Sequence, residues 1–320
     1  MTRPIASPLL PPARGRFSDL ARSLVRSLVH ALVRPLVRPL ARPLARPSAR
    51  PLVGPPALPM ALPVVLCSAL LAAGAAAGED ARARGDAIAA EADSRNAGFV
   101  DQQARLVMTL VNARGDRSVR ELDIRTLEGT DEGDRIMTVF VAPADLRRTA
   151  FLTHTHKHRP DEQWLYLPAT RREKRISSAN RSSPFFGSEF SYEDLASIEL
   201  EKYRHRHIGT ESIDGIDCHV IERIPLEADS AYGRLVVWID REHLQTRRIE
   251  YHDRDDRLLK TLTANDYALH DGRFWRAGSL RMINHRTDKQ TLLEWRDYRF
   301  GTGLDSSDFS ARRLSRAGTP

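Results

Sequence analysis

Short runs in which apolar and polar residues alternate follow one another through residues 99–300. The run SVRELDIRTLEG shows the pattern most clearly, with Leu122 and Ile124 on one face and Glu121 and Asp123 on the other. Gly, Pro or Asp residues separate the runs, as they do in β-hairpins. No segment between the runs is long and helical enough for the crossover that parallel strands need. The sequence therefore predicts an antiparallel sheet of about ten or eleven strands.

Two of the predicted strands, at 136–141 and 235–239, are apolar on both faces. A sheet with one face exposed to solvent needs apolar residues on its other face only. We therefore expect a curved sheet with packing on one side and an apolar hollow on the other. The Ala-rich segment from 80 to about 98 predicts a short amphipathic helix. The predicted fold class is mainly β (α+β), an open antiparallel half-barrel with a short N-terminal helix and a helix/loop lid.

The positive charge of the chain is concentrated near its start. The formal net charge is +7, with 49 Lys and Arg residues against 42 Asp and Glu residues. Residues 1–78 hold ten arginines and one acidic residue, Asp19, whereas residues 79–320 hold 39 basic and 41 acidic side chains. Residues 79–320 therefore lack the excess positive charge that nucleic-acid binding uses, and no nucleic-acid partner is predicted.

The first residues predict two segments that precede the folded domain. Residues 1–59 repeat an Arg- and Pro-rich pattern of low complexity. This leader is either an over-extended translation start, with Met60 as the true beginning, or an unusually long arginine-rich region. Residues 60–78 are the predicted signal peptide, because the apolar run 64–77 is shorter than the roughly 20 residues that span a bilayer and ends in small residues.

Cleavage after Ala77 or Gly78 leaves a single domain at 79–320, which we expect in the periplasm. This domain contains one cysteine, Cys218, so no internal disulfide is predicted and Cys218 is interpreted as a buried strand residue. Cys67 does not follow a small residue as a lipid-anchored cysteine does, so lipid anchoring is not predicted.

The stretch RSSPFFGSEFSYEDL, residues 181–195, is rich in apolar residues but has no regular period. Ser191 followed by Asp194 is typical of a helix N-terminal cap. Three phenylalanines stand in the polar loop before this cap: Phe185, Phe186 and Phe190. They are either a plug that leaves when a lipid arrives or an ordinary anchor of the loop on the core. Three further aromatic residues are candidates for ligand contact: Trp164, Tyr166 and Trp238.

Residues suited to catalysis or metal binding are few. Glu189, Glu193 and Asp194 are carboxylates of the kind used in acid–base chemistry, but the neighbouring serines have no base at a recognisable spacing. The segment HTHKH at 154–158 places three histidines on one predicted strand face, without an acidic or cysteine ligand at a suitable distance. No catalytic residue, metal or cofactor is predicted, and an enzyme is not expected. A hydrolase acting on envelope lipids is the weakest alternative.

The string WLYLPATRREKRISSANRSSPFFGSEFSYEDL, at 164–195, resembles the signature of the outer membrane lipoprotein-sorting protein family, the LolA-like periplasmic carriers. The most specific part of the resemblance comprises Gly187, Ser188, Ser191, Tyr192, Glu193 and Asp194. The chain departs from the family pattern near Arg148, where a glycine is expected, and at Pro184-Phe185-Phe186, where a serine or glycine followed by Phe-Met is expected. The resemblance extends over residues 99–314 and implies an open β-barrel around a lid, with a hydrophobic cavity for acyl chains.

The resemblance implies a function in the bacterial envelope. We expect a periplasmic carrier or chaperone that binds lipoprotein acyl chains or another apolar lipid, with a lipoprotein or lipid as its partner. The alternative is a non-catalytic accessory subunit of an RND-type export complex, which would bring an RND-family inner-membrane exporter as a partner. We expect the protein to be a monomer.

Overall fold

The computed structural model describes residues 62–130 and 132–317, with side chains described from Gly78 onwards except at position 178. The predicted leader at 1–59 and the first two residues of the predicted signal peptide lie outside the described residues. The helices of the described part are α1 (Leu62–Asn96) and α2 (Ala311–Leu314). Its strands are β1 (Asp101–Val111), β2 (Arg117–Leu127), β3 (Arg135–Ala142), β4 (Ala150–His154), β5 (Glu162–Leu167), β6 (Arg172–Ile176), β7 (Tyr203–Ile213), β8 (Ile216–Pro225), β9 (Arg234–Asp240), β10 (Thr246–His252), β11 (Leu258–Asn265), β12 (Ala268–His270), β13 (Phe274–Arg276), β14 (Ser279–Asn284) and β15 (Lys289–Phe300).

Thirteen of these strands form one antiparallel sheet in the order β6-β5-β4-β3-β2-β1-β15-β14-β11-β10-β9-β8-β7, and β12 pairs with β13 separately. The predicted open antiparallel architecture is confirmed, with more strands than expected. One reason is that the run FWRAGSLRMINHR is divided at Gly278 into β13 and β14. A side chain at Gly278 would approach the carbonyl oxygen of Asp266 to 2.7 Å, so only glycine permits this division.

The sheet is open because its two edge strands, β6 and β7, do not pair with each other. They are consecutive in the chain, and residues 177–202 connect them. We call this connection the β6–β7 loop. It contains the aromatic stretch that the sequence singles out, so a single loop runs from one edge of the sheet to the other.

Helix α1 confirms the helix predicted near residue 80 and begins earlier than expected. Ala89 and Ala92 are buried against the sheet. The helix lies close to β7, because a side chain at Gly85 would come within 2.8 Å of the backbone of Arg206. Among the described residues, no helix combines the length and the apolar composition needed to cross a membrane. Cleavage of a signal peptide stays a prediction.

The face of the sheet that carries Leu106, Phe140 and Ile249 is here called the inner face. Its buried residues form the largest apolar cluster of the described chain, to which every strand of the thirteen-stranded sheet contributes except the edge strands β6 and β7. Phe185 and Phe190 of the β6–β7 loop belong to the same cluster. The loop therefore completes the core on this face.

The opposite, outer face explains why β3 and β9 are apolar on both sides. Met137 and Val139 of β3 pack with Phe309 and Leu314 from the C-terminal segment, which contains α2. On β9, Trp238 lies on the outer face in a small cluster with its neighbouring strand. The apolar character of both faces thus comes from packing on both sides, with the β6–β7 loop covering the inner face and the C-terminal segment covering part of the outer face.

Candidate ligand-binding site

The phenylalanines of the β6–β7 loop occupy the inside of the curved sheet. Phe185 is 1% exposed and Phe190 is 4% exposed, while Phe186 is half-buried. The ring of Phe185 lies 5.8 Å from that of Phe140 and 5.4 Å from that of Phe151. The ring of Phe186 lies 4.8 Å from Phe140. The apolar interior expected from the sequence is therefore filled by side chains of the loop itself.

A tight turn places these rings. Phe185 donates its backbone N–H to the carbonyl of Phe190 at 2.7 Å, which closes the turn. Within it, Phe186 has φ 48° and Gly187 has φ 77°, so two consecutive residues adopt the left-handed conformation. Glycine does so freely, but a phenylalanine there is strained. Arg120 of β2 donates a hydrogen bond to the carbonyl of Phe186 and holds the strained residue in place.

The hydrogen bond expected of a Ser191–Asp194 cap is present, since the Ser191 hydroxyl accepts from the backbone N–H of Asp194 at 3.3 Å. The element that follows is a single 3₁₀ turn, Glu193–Leu195, with Tyr192 at its N-cap position. Asp194 accepts hydrogen bonds from the backbone N–H of Ser191 at 2.6 Å and from its hydroxyl at 2.8 Å. Asp194 also accepts from the hydroxyl of Tyr232 at 2.8 Å and forms an ion pair with Lys260 of β11 at 2.5 Å. Only 3% of the Asp194 side chain and 5% of the Lys260 side chain are exposed, so the cap residue is also a buried ion-pair partner.

The other two carboxylates considered for acid–base chemistry also hold the loop. Glu193 accepts from the hydroxyl of Ser230 at 2.6 Å and from the backbone N–H of Ala231 at 3.0 Å. Burial raises the pKa of Glu193, and these two donors oppose that shift. Glu189 accepts from the side-chain amide of Asn284 on β14 at 2.7 Å. These carboxylates connect the loop to the strands opposite it.

The remaining motif residues are packed within the loop. Ser188 is 1% exposed, and its hydroxyl accepts a hydrogen bond from the backbone N–H of Phe190 at 3.3 Å. Tyr192 is half-buried, with its ring 5.3 Å from Phe151. The carbonyl of Tyr192 accepts from the side-chain amide of Gln163 on β5 at 2.8 Å. The motif is therefore a set of contacts that shape the loop and seat it on the sheet.

A second buried network holds the two ends of the loop together. Arg181, near the start of the loop, pairs with Asp161 at 3.2 Å and with Glu227 at 2.7 Å. Lys202, the last residue of the loop, pairs with the same Asp161 and lies 3.4 Å from Glu227. Exposure of the Arg181, Lys202 and Asp161 side chains is below 10%. We call these four residues the loop clamp. They bring the two ends of the loop to one point.

A cavity of about 60 Å³ lies beside the loop clamp. Its lining includes the clamp residues, three tyrosines and two aliphatic residues of β9 and β10. The tyrosines and aliphatic residues are Tyr203, Tyr232, Tyr251, Leu235 and Ile249. The cavity has room for a few water molecules, since one water needs about 10–15 Å³. An acyl chain requires the Phe185 and Phe190 side chains to move.

Three predicted ligand-contact residues lie away from this site. Trp164 and Tyr166 alternate along β5 with Leu165, which faces inward, and both pack in the outer-face cluster beside the C-terminal segment. Trp238 is on the outer face as well, where its indole N–H donates to Glu211 at 2.7 Å. The loop phenylalanines therefore lie together on the inner face, whereas Trp164, Tyr166 and Trp238 lie on the outer face.

The histidine segment is not a single strand face. Strand β4 ends at His154, whose ring Nε2 lies 2.6 Å from the carbonyl of Phe309. His156 lies beyond the strand, with its ring Nδ1 2.8 Å from Glu132. In the part of the chain that the structure describes, no group of three or more His, Cys, Asp or Glu residues is arranged to hold a metal ion.

Several residues of the site were missed because their partners are distant in the sequence. Lys260 carries a detectable signal, since it interrupts the apolar positions of β11 on the side that faces inward. The residues of the loop clamp have no such signal in the sequence.

Arg148, where the sequence departs from the family pattern, has φ 68°, the conformation that glycine adopts most readily.

A family model described as an uncharacterized protein matches residues 132–316. A solved domain from Vibrio parahaemolyticus, assigned to the outer membrane lipoprotein-sorting proteins, is 45% identical over 73% of this chain and 100% of that domain, with a TM-score of 0.72. A DUF1329 family protein from Desulfovibrio piger is 28% identical over 73% of this chain and 99% of its own, with a TM-score of 0.70. A LolA superfamily protein from Nitrosomonas europaea is 18% identical over 70% and 96% of the two chains, with a TM-score of 0.58, and so shows a shared fold alone. No match was found among curated proteins.

Proposed function

The chain belongs to the outer membrane lipoprotein-sorting protein family, and from this premise we propose that it is a periplasmic carrier of acylated or otherwise apolar ligands. The ligand would occupy the inner face of the sheet, in the space now filled by Phe185 and Phe190. A lipoprotein, through its acyl chains, is the partner that the family suggests. Export through a signal peptide at 60–78 belongs to the same proposal.

One observation carries this proposal. Two of the buried aromatic residues of the inner-face cluster, Phe185 and Phe190, come from a loop and not from a strand of the sheet. Burial of each phenylalanine stabilises the closed form by about 1.5–3 kcal/mol, and an acyl chain that buries a similar apolar area compensates for its loss. Exchange between loop and ligand then needs little net free energy.

The contacts of the loop suggest which part moves. The ends of the loop are held by the loop clamp, and the Asp194–Lys260 pair holds the cap, so that breaking these buried ion pairs costs about 3–5 kcal/mol each. The turn at 184–190 is attached without an ion pair of its own, by burial of Phe185 and Phe190 and by hydrogen bonds from Arg120, Asn284 and Lys260. We therefore infer that this turn swings out while the ends of the loop stay fixed.

The proposed role is non-catalytic. Glu189, Glu193 and Asp194, the carboxylates with the most favourable position for acid–base chemistry, each accept hydrogen bonds that hold the loop on the sheet.

Release of the strain at Phe186 favours opening of the turn and so offsets part of the free energy lost with the contacts of the turn.

The experiment is to purify the full chain from the periplasm of a Gram-negative host, extract bound lipid for mass spectrometry and titrate the stripped protein with a fluorescent fatty acid. We expect co-purified lipid and saturable binding. Protein that carries no lipid and takes up no probe contradicts the carrier function and favours the alternative of an accessory subunit in an envelope export complex.

A further inference from the structure

A row of inward-facing side chains crosses five strands of the sheet at one level. His205 of β7 pairs in register with Arg223 of β8, which pairs with Leu235 of β9. The row continues through Tyr251 of β10 to Lys260 of β11. Residues that pair directly across antiparallel strands share a face, so all five side chains start from the inner face.

Arg223 is the member of this row whose charge is not matched. Lys260 has its ion pair with Asp194, and the ring of His205 lies 3.2 Å from Asp86 of helix α1. Arg223 is 6% exposed, yet within the described residues its Nε and Nη1 atoms are buried without a hydrogen-bond partner, and it makes no ion pair. Burial lowers the pKa of Arg223. An arginine in this state is unfavourable unless an anion reaches it.

Arg223 stands beside the cavity next to the loop clamp. Pro225, two residues further along the same face, lines that cavity, and so does Leu235, the cross-strand neighbour of Arg223. Tyr203 and Tyr251 also line the cavity, and both are close enough to Arg223 to influence its pKa. Neighbours of Arg223 on its own strand and on β9 thus line the cavity, although Arg223 itself does not.

The acids around the cavity already have partners. Asp161 and Glu227 pair with the cations of the loop clamp. Asp194 pairs with Lys260, and Glu193 accepts from the hydroxyl of Ser230 in the turn after β8. Asp93 of helix α1 is the acid that affects Arg223, but the two form no ion pair. Burial raises the pKa of Asp93. Within the described residues, no acid forms an ion pair with the Arg223 guanidinium.

We propose that Arg223 is the anion-binding residue of the inner face, and that the ligand is an amphiphile whose apolar chain carries a carboxylate or phosphate group. The proposal rests on the carrier function, which supplies the apolar chain. A guanidinium matches both anions because it donates two parallel hydrogen bonds to them. The anionic group would displace the water that the cavity of about 60 Å³ can hold.

The first test compares ligands that differ only in charge. Full-length protein is titrated with oleate and with methyl oleate, in the wild type, in Arg223→Met and in the control Arg204→Met, which removes an exposed arginine from the adjacent strand. We expect wild type and control to bind oleate roughly tenfold or more tightly than methyl oleate, as for a charge-assisted hydrogen bond. In Arg223→Met this preference should vanish while methyl oleate affinity is retained. An unchanged preference overturns the proposal.

Thermal unfolding separates an anion site from a structural arginine. Arg223→Met removes an unpaired buried charge and keeps an apolar stem of similar length, so its Tm should equal or exceed that of the wild type. A marked fall in Tm, repeated in Arg223→Gln, would mean that the guanidinium supports the fold and would overturn the proposal.

A third arm uses anions without a long chain. Inorganic phosphate and butyrate should raise the Tm of the wild type and not that of Arg223→Met. The affinities for oleoyl lysophosphatidate and for oleate are then compared, which shows whether the site prefers phosphate or carboxylate. If these anions act through Arg223 but no long-chain ligand binds, the anion site stands and the carrier function fails. If methyl oleate binds but the binding of every anion is the same in the wild type and in Arg223→Met, the carrier function stands and the anion site fails.

Discussion

The two faces of the sheet are covered by segments of different character. On the outer face, Phe309 and Leu314 of the C-terminal segment are 1% and 0% exposed and pack against apolar residues of β3 to β5. On the inner face, Phe185 and Phe190 are buried to a similar degree. The inner cover, however, is surrounded by the loop clamp, the Asp194–Lys260 pair and hydrogen bonds to β2 and β14, whereas apolar packing dominates the outer one.

This difference indicates what each cover is suited to do. Apolar packing is non-directional, so a segment held by it alone has no single position to return to after it leaves. Hydrogen bonds and ion pairs require a defined geometry. Those at the ends of the β6–β7 loop therefore fix where the loop returns while its apolar turn exchanges with a ligand. The outer cover is held mainly by apolar packing, with the contact between His154 and the carbonyl of Phe309 as a directed interaction, and it is expected to be permanent.

The largest expected effect tests the permanence of the outer cover. Phe309→Ala should lower the free energy of unfolding by about 4 kcal/mol, because it leaves a cavity in a closed apolar cluster. Denaturant unfolding measures the loss. Binding of a fluorescent fatty acid, measured on the folded fraction, should keep its rate and affinity. Faster uptake by this variant would show that the outer face also opens, and the contrast between the faces would fail.

The next effect concerns the polar anchor of the inner cover. Lys260→Met should cost about 3 kcal/mol in the free energy of unfolding, because it leaves the buried Asp194 carboxylate without its cation. The double variant Asp194→Asn with Lys260→Met should recover a large part of this loss. A double variant that is as unstable as the sum of its single changes would argue that the two residues do not act as a pair.

A smaller effect follows from pH. Glu199, in the C-terminal part of the β6–β7 loop, is 9% exposed, and burial, assisted by the nearby Asp134, raises the pKa of Glu199 from 4.5 to about 7. Because the folded pKa is raised, the stabilisation is complete below pH 4.5 and is lost as the pH rises through about 7. We expect a loss of up to about 2 kcal/mol between pH 5 and pH 8 that is absent in Glu199→Gln. Parallel pH profiles of the two proteins would contradict it.

The smallest effect on stability probes the moving turn. Phe186→Gly removes a half-buried ring but also relieves a left-handed phenylalanine, so the two terms should offset to within about 1 kcal/mol. Uptake of the fluorescent fatty acid should nevertheless be several-fold faster in stopped-flow measurements. Asp288→Gly, which relieves a φ of 53° in the turn between β14 and β15, is the control and should leave uptake unchanged. Equal uptake rates in all three proteins would place the opening elsewhere.

The sequence by itself determined the antiparallel sheet, the helix near residue 80 and the Ser191–Asp194 cap, because each depends on local alternation or on residues a few positions apart. Lys260 carries a sequence signal that was missed, since it interrupts the apolar positions of β11, but alternation alone does not indicate what its side chain contacts. Only the tertiary structure placed Trp164, Tyr166 and Trp238 outside, because alternation defines two faces but not which one the β6–β7 loop covers. It likewise decided that Lys260 has an ion-pair partner and that Arg223 has none among the described residues, because ion pairs join residues that are far apart in the chain.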